Sequence, residues 1–157
     1  MNYRLFRHLF LGMTVIILFI TAFSSCTPKK NTFATRHYQA FITKYNIYYN
    51  GETHFIETLD EMETKYEDDY SQILFIHPAE ARNKPKAPQP NGSFDRSIEK
   101  AQKAIQLRSI TKRPKKKSGK TDAKYKEWLK REEYNPFLHN AWMMMGRSQF
   151  LNGDYLG

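Results

Sequence analysis

Between Thr32 and Asn50 the apolar side chains Ala34, Tyr38, Phe41, Ile42, Tyr45, Tyr48 and Tyr49 return at steps of three and four residues. That period puts them on one face of an amphipathic helix, with Thr32 or Asn31 able to cap its start and Gly51 to end it. The spacing resumes in Phe55, Leu59, Met62, Tyr66 and Ile73, while Glu57, Asp60, Glu61 and Glu63 face elsewhere. Asn50-Gly51 can also turn a β-hairpin, but both flanks have helical period. Residues 26–76 are therefore expected to form a helical hairpin, with its tyrosines packed as core. From His77 to Gly92 (HPAEARNKPKAPQPNG) the period vanishes and four of the seven prolines collect, as in an extended linker. Phe94, Ile98, Ala101, Ile105 and Leu107 then predict a helix over 93–108. A basic loop over 109–121 separates it from a last helical region, 122–157. The pattern as a whole predicts an all-α chain.

The first 25 residues follow a different rule. Arg4 and Arg7 precede Leu9–Phe23 (LFLGMTVIILFITAF), fifteen residues without charge, which is short of the roughly 20 that a spanning helix needs. A short positive region before a short apolar run is the form of a signal peptide, although an uncleaved anchor helix reaching back towards Arg7 stays open. The run ends in Phe23-Ser24-Ser25-Cys26, which resembles a bacterial lipobox, with Phe23 where Leu is usual. A thiol at that place takes a diacylglyceryl group as a thioether, and small neighbours let the lipoprotein signal peptidase reach the backbone before it. Lipidation of Cys26 would leave the chain anchored without spanning, since several acyl chains hold where one binds marginally. The alternative, a buried small hydrophobe, finds no core in the adjoining Thr27-Pro28-Lys29-Lys30. By resemblance to lipoprotein sorting rules, Thr27 in place of Asp implies the outer membrane. The lack of an acidic cluster over 27–31 implies attachment facing the periplasm.

Composition changes the picture little, and charge more. Of 157 residues, 40% are hydrophobic and 26% charged, with ten Tyr and eleven Phe against two Trp, which suits a globular domain with aromatic rather than β-branched packing. One cysteine excludes an internal disulfide and a thiolate zinc cluster. The formal charge is +9; without residues 1–25 it is +7, from 23 basic and 16 acidic residues. Residues 52–69 carry eight acids and one Lys, whereas 108–131 carry eleven Lys or Arg against Asp122 and Glu127. Such separation bears on contact surfaces rather than on fold. Glu67-Asp68-Asp69 lacks the glycine and spacing of a calcium loop. The stretch Ser109–Lys120 (SITKRPKKKSGK) has the composition of a nucleic-acid patch but no aromatic residue to stack a base. No nucleic acid is expected as partner; an acidic partner, an anionic lipid surface or the cell-wall polymer suits residues 109–120 better.

From Asn135 the chain reads NPFLHNAWMMMGRSQFLNGDYLG. Asn135 can cap and Pro136 open a helix, on which Trp142, Met145, Gly146 and Phe150 would line one face. This resembles the first helix of a tetratricopeptide (TPR) repeat, W-x-x-L-G-x-x-Y, with Met145 for Leu and Phe150 beside the aromatic slot. Asn152-Gly153-Asp154-Tyr155 resembles the turn into the second helix, and Gly146 is expected where two helices approach closely. Residues 92–107 resemble the second helix of a preceding, degenerate repeat, with Ser97, Ala101 and Ala104 as its small residues.

Cys26-Thr27-Pro28-Lys29-Lys30-Asn31-Thr32, Thr43-Lys44-Tyr45-Asn46 with Tyr49-Asn50-Gly51, residues 94–101 and Asn135–Asn140 together resemble the tetratricopeptide lipoproteins of SprE and PorW type, from the type IX secretion and gliding machinery of Bacteroidetes. The resemblance implies a TPR solenoid on a lipid anchor, a non-catalytic scaffold at the outer membrane, and other secretion-machinery proteins as partners. Members of that family are much longer, and about three stacked repeats are needed for a stable solenoid, so the chain is expected to be an N-terminal fragment or truncated frame.

Catalysis finds no footing in the residues. His8, His37, His54, His77 and His139 have no metal spacing, and neither a nucleophile elbow nor a phosphate-cradling loop occurs. Glu57 and Glu61 are one helical turn apart, which without a pocket means nothing for glycoside hydrolysis. No enzyme activity, cofactor or metal is expected. The alternative function is capture of glycan by a SusD-like TPR lipoprotein, against which the loops 77–92 and 109–120 count, since neither contains Trp, Tyr or Phe.

Overall fold

The computed structural model describes residues 12–14, 30–119 and 122–155. Residues 1–30 and 31–157 form two compact units, and in the first only Gly12, Met13 and Thr14, which are helical, and Lys30 are described. Phe23, Ser24, Ser25 and Cys26 lie outside the described residues. The second unit is all-α: among the described residues it consists of helices, turns and bends with no strand.

Its first element is α1 (Phe33–Ile42), capped by Thr32, whose hydroxyl accepts from the Thr35 N–H at 3.1 Å. The chain then continues through a π-helical turn, Thr43–Tyr48, into α2 (Tyr49–Lys65). There is no turn at Asn50-Gly51, so the expected hairpin is replaced by one helix running from Phe33 to Lys65. Gly51 serves packing instead of chain reversal. A Cβ there would lie 2.7 Å from Met144 Cε and 3.0 Å from Lys100 Cβ, and the Ser97 hydroxyl donates to the Gly51 carbonyl at 3.0 Å. Here the lack of a side chain admits neighbours that a turn-forming glycine would not meet.

The π-helical turn aligns the buried side. Gln39, Thr43, Ile47, Gly51 and Phe55 are buried at four-residue intervals, followed by Thr58 and Met62. A strict four-residue repeat drifts around an α-helix of 3.6 residues per turn, and one wider turn takes up part of that drift. The tyrosine stripe expected as core points outwards: Tyr38, Phe41, Tyr45 and Tyr49 are 58 to 62% exposed. Both stripes have helical period, and small or medium side chains won the inner one because a neighbouring helix comes close.

That neighbour is α3 (Asp95–Arg108), whose Ser97, Ala101 and Ala104 are fully buried, as the small residues of the expected TPR-like helix. It packs against α2 and the π-helical turn, and against α5 (Leu138–Leu151). Two clusters make the core. Ile47, Ala104, Leu138 and Ala141 form one, and Phe55, Met62, Ala79 and Phe94 form the other.

Residues 77–92 are proline-rich but packed, unlike the extended linker expected of them. Pro78–Ala81 is a 3-10 turn with Ala79 and Ala81 buried. Arg82 donates through Nη2 to the Gly92 carbonyl at 2.6 Å, and Gln89 Nε2 donates to the carbonyls of Ala81, Lys84 and Ala87. Proline supplies stiffness here, and side-chain amides satisfy backbone groups that the absent helix period leaves open. Between α3 and α5 lies a short helix, α4 (Ala123–Trp128).

Candidate functional site

The TPR signature falls on α5 and the turn after it. The helix begins at Leu138 rather than at Pro136, with Asn135 accepting from the Phe137 N–H at 3.1 Å. One face, Leu138, Ala141, Met144 and Ser148, is buried. Trp142 (52% exposed), Met143 (66%) and Phe150 (60%) lie on the other, and a Cβ on Gly146 would meet nothing within 4 Å. Trp142, Gly146 and Phe150 do share a face, as their spacing implies, but within the described residues that face is open. The second helix expected to approach Gly146 lies outside the described residues, and among those described the methionine that reaches the core is Met144, with Met145 half-buried. Along this face Leu59, Glu63, His77, Trp142, Met143 and Phe150 border a shallow cleft of about 410 Å³.

The turn after α5 is tied back into the fold. Gly153 has φ +77, and its carbonyl accepts from Asn83 Nδ2 at 3.0 Å. Asn152 accepts from the Phe94 N–H at 3.0 Å and donates to Asp95 at 2.9 Å, so it closes the start of α3. Tyr155 is exposed and meets the Phe150 ring edge-on, centroids 5.7 Å apart.

A buried polar network joins α1, α3 and the approach to α5. Asn135 Nδ2 donates to the Thr43 hydroxyl at 3.1 Å and to the Arg108 carbonyl at 2.9 Å. Thr43 donates in turn to the Gln39 carbonyl at 2.7 Å, and Arg108 Nη1 donates to Gln39 Oε1 at 3.3 Å. Beside it the Glu133 carboxylate accepts from the N–H groups of Ile110, Tyr134 and Asn135 and from the Ser109 hydroxyl. Sequence patterning missed this cluster because its partners lie up to 92 residues apart; the only local signal was Asn135 as a cap. Tyr48 donates to Glu52 Oε1 at 3.1 Å. Burial first, then that hydrogen bond and the Glu52 charge, push the Tyr48 hydroxyl above its ordinary value, with Arg147 opposing in part.

A second cleft, of about 470 Å³, contains both tryptophans along with Phe33, Arg36, His37 and Arg131. Trp128 is already engaged: the Arg36 guanidinium sits 5.0 Å from its ring and Tyr125 stacks at 5.8 Å. Trp142 is the freer wall. Among the described residues no cluster of three or more His, Cys, Asp or Glu could hold a metal ion, and no helix is long and apolar enough to cross a membrane.

Taken together these features define an all-α unit with two open, partly aromatic surfaces. In comparisons with known proteins, the chain matches no family model and no curated protein.

Proposed function

We propose that the chain is a non-catalytic lipoprotein scaffold of the type IX secretion and gliding apparatus. Cys26 carries the lipid that holds it in the outer membrane, facing the periplasm, and TPR-type helices gather other proteins of the machinery. The observation that supports this reading best is the two-sided character of α5. One face packs inwards, Leu138 and Ala141 with Ala104 of α3 and Met144 beside Gly51, and the other presents Trp142, Gly146 and Phe150. A helix that must be covered on both sides suits a stacked repeat, in which each unit buries its apolar face against the next.

Glycan capture is favoured by one observation only, the cleft with both tryptophans, and the engagement of Trp128 with Arg36 and Tyr125 weakens it. Deletion of the gene separates the two readings. Loss of protein secretion or of gliding is the expected result, whereas a defect confined to growth on one polysaccharide would overturn the scaffold. A photo-reactive residue in place of Trp142 is expected to cross-link to a secretion-machinery protein.

A further inference from the structure

The outer face of the long helix changes character at Gly51. From Phe33 to Gly51 the helix has no Asp or Glu and carries Arg36 and Lys44, with Lys29 and Lys30 just before it in the sequence; the first acid of the chain is Glu52. Tyr38, Phe41, Tyr45 and Tyr49 stand exposed along that acid-free half. Phe41 and Tyr45 contact each other at 4.8 Å, and the Lys44 ammonium lies 5.0 Å from the Tyr45 ring. Further on, the exposed positions include Glu57, Asp60 and Glu63, beside Thr53, Ile56, Thr64 and Lys65.

The fold adds a second source of positive charge at the same end. Asn31 Nδ2 donates to the Lys112 carbonyl at 2.7 Å, across 81 residues, and Arg36 covers Trp128 of α4. Both contacts hold residues 108–119 and 122–131, with ten Lys or Arg against two acids, beside the start of α1. Lys115, Lys116 and Lys117 there are exposed. The molecule therefore has a basic, aromatic end and, along the same helix of about 50 Å, an acidic one.

We infer that the acid-free half of the long helix and the Lys112–Lys117 segment rest together on an anionic lipid surface, while the half beyond Glu52 rises away from it. Tyrosine and phenylalanine set their rings among headgroups, and lysine lays its stem along apolar surface with the ammonium in water. A basic cluster next to an anchor is drawn to anionic lipid, and acids on the far half are repelled. The inference rests on the lipoprotein reading for the nearness of a bilayer, since the seven residues from Cys26 to Thr32 reach at most about 25 Å when extended.

The test uses the full chain with Cys26→Ser, which leaves no native thiol and keeps the apolar run 9–23 as tether, so it does not depend on lipidation. Mass spectrometry of Cys26 in the wild-type chain tests the anchor separately. Nitroxide labels at Tyr38→Cys, Tyr45→Cys and Asp60→Cys are compared on vesicles of phosphatidylethanolamine with phosphatidylglycerol, on pure phosphatidylcholine, and in 1 M salt, where the Debye length is about 3 Å. The expected result is that the labels at 38 and 45 become more accessible to oxygen than to a water-soluble relaxer only on the anionic vesicles at low salt, with the label at 60 aqueous throughout. Replacing Lys115, Lys116 and Lys117 by Gln is expected to reduce the burial at 45. A label at 45 as aqueous as that at 60 on anionic vesicles would overturn the inference, as would equal burial on neutral vesicles and in 1 M salt. A label aqueous on vesicles but protected in isolated envelopes would assign the face to a protein partner instead.

Discussion

Asn135 ties the π-helical turn and the end of α3 to the start of α5. Its amide reaches Thr43 and Arg108, its Oδ1 receives the Phe137 N–H, and it is 4% exposed. Asn135→Ala would leave the Thr43 hydroxyl and Arg108 carbonyl short of a partner in a buried place, at a cost of about 1–3 kcal/mol. Urea denaturation should find that loss, and Thr43→Val in the same background should add less than it does alone, because the two share one network. Tyr48 supplies a pH-dependent term. Its hydroxyl is raised above the ordinary value by burial and by Glu52, so the protonated form is favoured in the folded state. The stability it contributes is fully present below the unfolded value of about 10 and lost as pH rises through the higher folded value. Melting temperature against pH should therefore fall above about 10, and Tyr48→Phe should flatten that fall. The cap was legible from sequence to within one residue, Asn31 or Thr32, because capping needs only residues three apart. The network was not, because nothing local marks which buried amide will find which distant carbonyl.

At the level of elements, one glycine takes a role that its spacing did not imply. Gly51 reads as a helix stop but lies inside a continuous helix, against Met144 and Lys100. Gly146 reads as a site of close approach, and a Cβ there would meet nothing within 4 Å among the described residues. Gly51→Ala is expected to destabilise by about 1–3 kcal/mol through overpacking, since the Lys100 Cβ belongs to the rigid part of its side chain. Gly146→Ala is expected to stabilise by up to about 1 kcal/mol, the gain of alanine over glycine in an open helical position. Thermal melts of the two variants test both signs. If a further helix packs on α5 in the assembled scaffold, Gly146→Ala should weaken partner cross-linking at Trp142 even as it raises the melting temperature. The helical elements were readable because a period of three and four residues survives in any context. Which of two apolar stripes turns inwards was not, because Tyr38-Phe41-Tyr45-Tyr49 and Gln39-Thr43-Ile47-Gly51 have almost the same spacing, and only the closeness of α3 favours the smaller set.

At the scale of the molecule, charge is sorted along the long helix, with Arg36, Lys44 and the neighbouring Lys112 segment at its start and the acids Glu52, Glu57, Asp60, Glu61 and Glu63 beyond Gly51. Under the lipoprotein reading, Cys26→Ser blocks lipidation and with it cleavage. Immunoblots should show a precursor larger than the wild-type mature form by residues 1–25; equal size in both would favour an uncleaved anchor helix. The sequence by itself determined that the chain is all-α, that the cap falls at Asn31 or Thr32, that Ser97, Ala101 and Ala104 form a small-residue stripe, and that Trp142, Gly146 and Phe150 share a face. Each of these depends on neighbours within a few turns of one helix. Only the tertiary structure decided that residues 33–65 make one helix, that the proline-rich stretch packs down, and that the basic segment sits beside the start of α1. These depend on contacts between residues tens of positions apart, where burial of one surface against another outweighs any local preference for turn or linker.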